Sequence, residues 1–85
     1  MMTLYSRCPT LDLHGFDRDY ARIMINDFIM DCYIMKENKV VIIHGIGSGV
    51  LRKCTQDVLK RNSYVEDFKL DIFNGGQTIV SLKKH

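Results

Sequence analysis

The 85-residue chain has no tryptophan, a single proline and only three cysteines. One proline and six glycines exclude a collagen-like or linker composition. Cys8, Cys32 and Cys54 are odd in number, widely spaced and free of any CxxC pair, which argues against a disulfide framework and a structural zinc site. They read instead as reduced thiols packed like small hydrophobes. No apolar stretch approaches the ~18 residues that span a bilayer, so no membrane partner is expected. Residues 1–7 lack the apolar run of a secretory signal, and a cytoplasmic location is the expectation. A dominant charge is missing too. The formal net charge is +2, too little by itself to announce a nucleic-acid partner. Its distribution is uneven: residues 1–51 carry five basic and six acidic side chains, and residues 52–85 carry seven and four. An anionic ligand would be drawn toward the second half.

What remains is ordinary globular composition, 46% hydrophobic and 26% charged, enough for one small domain. Residues 10–13 alternate as a first strand. His14 and Gly15 end it, and Asp17 stands as the N-cap of a helix running to about residue 36. Its core face would hold Ala21, Met24, Ile25, Phe28, Cys32 and Met35, with Arg18, Arg22 and Asn26 on the opposite arc. A further apolar arc, Tyr20, Ile23, Met30 and Ile34, has no partner in a two-layer domain. Either it supports a homodimer or other partner through this helix, or the N-terminal segment covers it. The β-branched run 40–43 suits a central strand covered on both faces. A second helix is expected over 50–61, burying Leu51, Cys54, Thr55 and Val58. A third strand spans 65–73, with Val65, Asp67, Lys69 and Asp71 alternating against Glu66, Phe68, Leu70 and Ile72. Asn74-Gly75-Gly76 makes a hairpin turn into a last strand at 78–82. The order β-α-β-α-β-β predicts a two-layer α/β sandwich, a four-stranded mixed sheet with two helices on one face. Residues 1–9 form an N-terminal segment and 10–85 the domain.

Two sequence features carry chemistry. The first is the loop His44-Gly45-Ile46-Gly47-Ser48-Gly49, set between a buried strand and a helix. Glycines let the backbone approach a ligand, and the free amides and dipole of the following helix favour an anion. Arg52 and Lys53 sit in that helix's first turn, where cations oppose the dipole at ~0.3–1 kcal/mol each. A bound phosphate would compensate them; the alternative is that the glycines only permit a tight turn. The loop is GxGxG rather than GxGxxG, and no Walker lysine follows, so a nucleic-acid backbone suits it better than a nucleotide. The second feature is Leu11-Asp12-Leu13-His14-Gly15, in which Asp12 and His14 share a face at a strand's end. His44 ends the neighbouring strand, so Asp12, His14, His44 and the glycine loop can meet at the edge where open α/β sheets hold ligands. An imidazole can move a proton, and a carboxylate can orient it or hold a metal. Taken singly, Asp12 also reads as a turn carboxylate and His14 as a surface histidine. Cys8 with His14 lacks the further ligands of a metal site, and Lys83-Lys84-His85 reads as a solvated tail.

Leu11-Asp12-Leu13-His14-Gly15, the run from Ile43 to Arg52, and Gly75-Gly76 with Thr78-Ile79-Val80 together resemble a Smr (small MutS-related) domain. The resemblance covers residues 10–83, and its loop is similar to the form at the C-terminus of bacterial MutS-like proteins, with no ATPase portion in these 85 residues. It implies a fold like the C-terminal domain of translation initiation factor three. It also implies nucleic-acid binding and, in several members, nicking of DNA or RNA; other members act in recombination control or on ribosomes. By position, the family's aspartate and histidine fall on Asp12 and His14, and its glycine loop on His44, Gly45, Gly47 and Gly49, followed by Arg52. The departure is the short Gly76-Gln77-Thr78 connection, which would tighten the hairpin and remove part of a binding edge. The candidate catalytic residues are therefore Asp12, His14 and His44. The candidate phosphate-binding residues are Gly45, Gly47, Ser48, Gly49, Arg52 and Lys53. Two functions stay open: a nicking endonuclease on DNA or RNA phosphodiesters, and a non-catalytic module that binds nucleic acid or the ribosome. Asp12 could hold a divalent cation, magnesium or manganese, though no carboxylate cluster demands one.

Overall fold

The computed structural model describes residues 7–84, so most of the expected N-terminal segment 1–9, and His85 of the expected tail, lie outside the described residues. The elements are β1 (Thr10–Asp12), α1 (Arg18–Ile34), β2 (Lys39–Ile43), α2 (Val50–Arg61), β3 (Val65–Leu70) and β4 (Gln77–Leu82). They form a four-stranded sheet in the order β1-β2-β4-β3. β1 runs parallel to β2, and β4 is antiparallel to both β2 and β3. The mixed sheet and element order are those expected from the sequence. The smallest dimension is 18 Å, room for one helix layer on one sheet, since a helix is ~10 Å across.

β2 lies inside the sheet, and its β-branched run follows from that position. Val40 and Ile42 enter the core together with Ala21, Ile25, Ile29 and Cys32 of α1, Cys54, Val58 and Leu59 of α2, and Val80 and Leu82 of β4. Val41 and its register partner Ile79 point to the other face and are also buried. Ile29 and Leu59 are core residues beyond those read from the periodicity. Met24 and Phe28 are only half-buried, and Met35 is exposed. Cys32 and Cys54 are free and buried. Burial raises both thiol pKa values, aided at Cys32 by Glu37 and Asp31 and opposed at Cys54 by Arg22 and Arg18, so both are poor nucleophiles.

Asp17 caps α1 as expected, its carboxylate accepting the Tyr20 amide at 2.8 Å. The other end stops earlier than residue 36. Lys36 adopts a left-handed conformation, φ 64°, and the Lys36 and Glu37 amides turn back to the Tyr33 and Cys32 carbonyls, each at 3.0 Å. This closing pattern usually employs glycine. Lys36→Gly is expected to stabilise the domain by about 0.5–1 kcal/mol, relief of the left-handed strain outweighing the added unfolded-state entropy, as a urea titration would read.

β3 also departs from simple alternation. Val65 pairs with Leu82, Asp67 with Ser81 and Phe68 with Val80, so Glu66 is an extra, bulged residue. The bulge brings Val65 and Phe68, three positions apart, to the same core-facing side. The strand ends at Leu70 rather than at residue 73, and Ile72 and Phe73 belong to a loop, where they are 87% and 93% exposed. On α1 the arc of Tyr20, Ile23, Met30 and Ile34 is exposed. No helix of the described residues is long and apolar enough to cross a membrane.

Candidate functional site

Three loops gather where β1 and β2 end: residues 13–17, 44–49 and 71–76. The first is tied to the second by the Leu13 amide, which donates to the Ile43 carbonyl at 2.8 Å. The third is tied to the second by the Gly76 carbonyl, which accepts the amides of His44 and Gly45 at 2.9 and 2.8 Å. Gly76 is buried, and a Cβ there would stand 3.2 Å from Asn74 Oδ1 and 3.4 Å from Gly45 Cα. The third loop is also braced internally. Asp71 accepts the Phe73 amide at 2.9 Å and the Gln77 side chain at 2.7 Å, and Asn74 accepts the Gly76 amide at 3.0 Å. The Phe73 amide first, then Gln77, holds the Asp71 carboxyl below the usual carboxylate range. Because the folded value is the lower one, this contribution is complete above the unfolded pKa and is lost as pH falls through the folded value.

The glycine loop places its residues unequally. Gly45 and Gly49 take φ of 78° and 86°, where a side chain would be strained. Gly47 has no such conformation, and no atom lies within 4 Å of where its Cβ would stand. Local geometry therefore does not demand glycine at 47. Gly49 is the N-cap of α2 and offers no side-chain hydrogen bond. Ser48 Oγ reaches the Val50 amide only at 3.5 Å. The N-terminus of α1 is closed by Asp17, whereas that of α2 is left without a carboxylate and has no acidic residue in its first turn. The Arg52 guanidinium folds back toward it, with Nη2 3.5 Å from the site a Gly49 Cβ would occupy. Lys53 is exposed one position further on.

Asp12, His14 and His44 reach the same end of the sheet but do not share a face. Leu11 and Leu13 pack into the helix-side core, so Asp12 leaves β1 on the opposite face. The His44 ring bonds Thr78, whose register partner Ile42 faces the helices. His44 is 7% exposed. Its Nδ1 lies 3.0 Å from the Gly45 carbonyl, which can only accept, so this nitrogen carries the proton in the neutral ring. Nε2 lies 2.9 Å from Thr78 Oγ1. Both ring nitrogens are thus engaged, and His44 fastens the loop to β4. Asp12 Oδ1 accepts the His14 amide at 2.9 Å, the geometry of a turn carboxylate. The His14 imidazole is exposed and has no hydrogen-bond partner among the described residues. No group of three or more His, Cys, Asp and Glu able to hold a metal occurs among the described residues.

One feature of the site escaped the sequence reading. Arg18 and Arg22, on the arc opposite the expected core face, line a hollow of about 360 Å³ with Ser48, Gly49 and Lys53. Their i, i+4 spacing beside the first turn of a second helix was the available signal.

The fold has counterparts among known proteins. The family model described as Smr domain matches residues 11–83. Endonuclease MutS2 of Clostridium botulinum (strain Eklund 17B / Type B) is 37% identical over 76 residues, covering 86% of this chain and 10% of that protein. Endonuclease MutS2 of Caldanaerobacter subterraneus subsp. tengcongensis is 36% identical over 78 residues, covering 91% and 10%. The chain thus spans about a tenth of the length of these curated relatives. The crystal structure of the Smr domain of Thermus thermophilus MutS2 superposes with a TM-score of 0.83 at 26% identity, covering 88% of this chain and 98% of that one. YdaL, a stand-alone small MutS-related protein from Escherichia coli, shares the fold with a TM-score of 0.83 at 23% identity, over 88% and 64% of the two chains. The motifs, the sheet order and the match across nearly the whole chain lead to one assignment: this chain belongs to the Smr domain family.

Proposed function

We propose that this domain binds nucleic acid at the glycine-loop end of the sheet and nicks a phosphodiester there. The observation that supports the reading is the pairing of Asp12 with Ile43 in adjacent parallel strands. It sets the free imidazole of His14 beside a loop that leads into an uncapped helix N-terminus. Neighbouring strands are ~4.8 Å apart, so residues just beyond their ends can address one phosphate group. The amides of α2 and the Arg52 guanidinium hold the phosphoryl oxygens and take up the charge that grows on them. Gly47, whose glycine identity nothing local demands, keeps the approach clear.

His14 accepts a proton from water, and the water oxygen bonds to phosphorus. The P–O bond to the leaving sugar breaks, and its oxygen takes a proton from the surrounding solvent. Asp12 fixes the His14 backbone and places a negative charge near the imidazolium that forms. His44 acts as a positioning residue, holding Gly45 and Thr78 together. The MutS2 relatives carry the name endonuclease, which agrees with this chemistry.

Asp12 Oδ1 already serves a turn, and this favours a second reading in which the same residues only grip phosphate on nucleic acid or the ribosome. A supercoiled plasmid and a structured RNA, each incubated with the wild-type domain in magnesium, manganese or chelator, separate the two. Nicked circles or discrete RNA fragments are the expected result. Stable binding with no cleavage in any of these conditions would leave the binding module.

A further inference from the structure

The basic hollow beside Gly49 does not end at the first turn of α2. It continues between the two helices into a second hollow of about 480 Å³ that shares Arg22, Asp57 and Val58 with the first and adds Asn26 and Arg61. Each wall is a ladder of residues one helical turn apart. α1 contributes Arg18, Arg22 and Asn26, and α2 contributes Lys53, Asp57 and Arg61. At 1.5 Å per residue each ladder runs ~12 Å along its helix. Four of the six side chains are cationic, one is an amide and one is acidic. Within this set the only negative charge is Asp57. The ion pair of Arg22 with Asp19, at 3.7 Å, involves exposed side chains and does little to restrain that guanidinium.

We propose that this groove is a track for a single strand of nucleic acid, continuing from the phosphate held at the glycine loop. The inference rests on that phosphate reading and extends it by naming the path of the strand. Charge complementarity identifies the occupant as a polyanion. Continuity with Ser48 and Gly49 makes its backbone the same one that meets the glycine loop. A flexible single strand can follow a short, positively charged groove along its backbone, as a stiff duplex cannot. The Asn26 side chain, whose Oδ1 accepts from Asn62 Nδ2 at 3.0 Å, keeps its NH2 group to donate to sugar or base. Asp57 repels the strand midway along the groove and keeps the contact weak enough to release.

The test is fluorescence anisotropy with single-stranded DNA and RNA oligonucleotides in two lengths, about 3 and about 12 nucleotides, chosen to reach the loop alone or the loop and the groove. The proteins are wild type, the double variant Arg22→Ala/Arg61→Ala, and Asp57→Asn. Circular dichroism verifies folding. For the long oligonucleotide the double variant is expected to lose about tenfold or more in affinity, and its slope of log K against log salt should fall by about 1.4, two single-strand contacts at ~0.7 each. The short one should lose clearly less, at most the single contact of Arg22, which also lines the hollow beside Ser48 and Gly49. Asp57→Asn should tighten the long oligonucleotide several-fold, a gain that misfolding cannot produce. DNA and RNA responding alike identifies the backbone as the ligand; a response confined to one identifies its sugar as a further contact on the same track. Unchanged affinity and slope for the long strand, or tighter binding of a duplex, would overturn the groove while leaving the glycine-loop reading in place. Wild type that binds neither length would overturn both.

Discussion

Asp12→Asn is expected to lower nicking by about 100-fold or more while changing nucleic-acid affinity by no more than about twofold. Asparagine retains a side-chain oxygen where Asp12 Oδ1 accepts the His14 amide at 2.9 Å, so the turn persists. What it loses is the negative charge of Asp12. His14→Ala should match this loss. Arg52→Ala should act differently. Its guanidinium lies over Gly49, and its removal should weaken binding and reduce the salt slope by about one contact. A gel assay for nicked plasmid, read beside anisotropy, separates these effects. If His14→Ala behaves like Arg52→Ala, the imidazole holds phosphate and does not move a proton.

Ile42→Ala is expected to cost ~2–5 kcal/mol, comparable to the whole ~3–5 kcal/mol that a domain of this size holds. Ile42 is fully buried, and its strand has partners on both sides, Leu11 in β1 and Thr78 in β4. Truncation opens a cavity where neither neighbour can collapse without breaking the ladder. The variant should show largely lost structure by circular dichroism at 37 °C. Ile23→Ala supplies the contrast, since Ile23 on α1 is 58% exposed and its truncation should fall within ~0.5 kcal/mol of wild type. An Ile42→Ala domain with an unchanged urea midpoint would contradict the packing described.

The features legible in the sequence were those written in local chemistry. The carboxylate of Asp17 announced a cap, the run at residues 40–43 announced an interior strand, and His44-Gly45 followed by two more glycines announced a loop into a helix. The features that were not legible depend on partners distant in the chain. The bulge at Glu66 is invisible to a period-two reading, because only pairing with β4 shows that Val65 and Phe68 share a face. Lys36 carries no glycine-like signal, so nothing local marks the end of α1 at Ile34. His44 and Asp12 end adjacent strands, yet the His44 ring turns toward Thr78 because β4 lies on the far side of β2 from β1. The basic groove needed the helix pairing itself. Arg18 and Arg22 lie on the arc away from the expected core face, and only α2 set beside them turns that arc into a groove wall.

Phosphate held at the glycine-loop end of the sheet would leave a signature on the backbone amides there. The direct measurement is a titration of the isotope-labelled domain with a short single-stranded oligonucleotide, following each backbone amide by NMR. The largest shifts are expected on Gly45, Gly47, Ser48, Gly49, Leu51 and Arg52, with His14 and Gly15 moving alongside. The amides of Lys39 and Leu82, at the opposite end of the sheet, should stay still. Shifts confined to that opposite end, or to the exposed arc of Ile23, Met30 and Ile34, would contradict a phosphate site at the glycine loop.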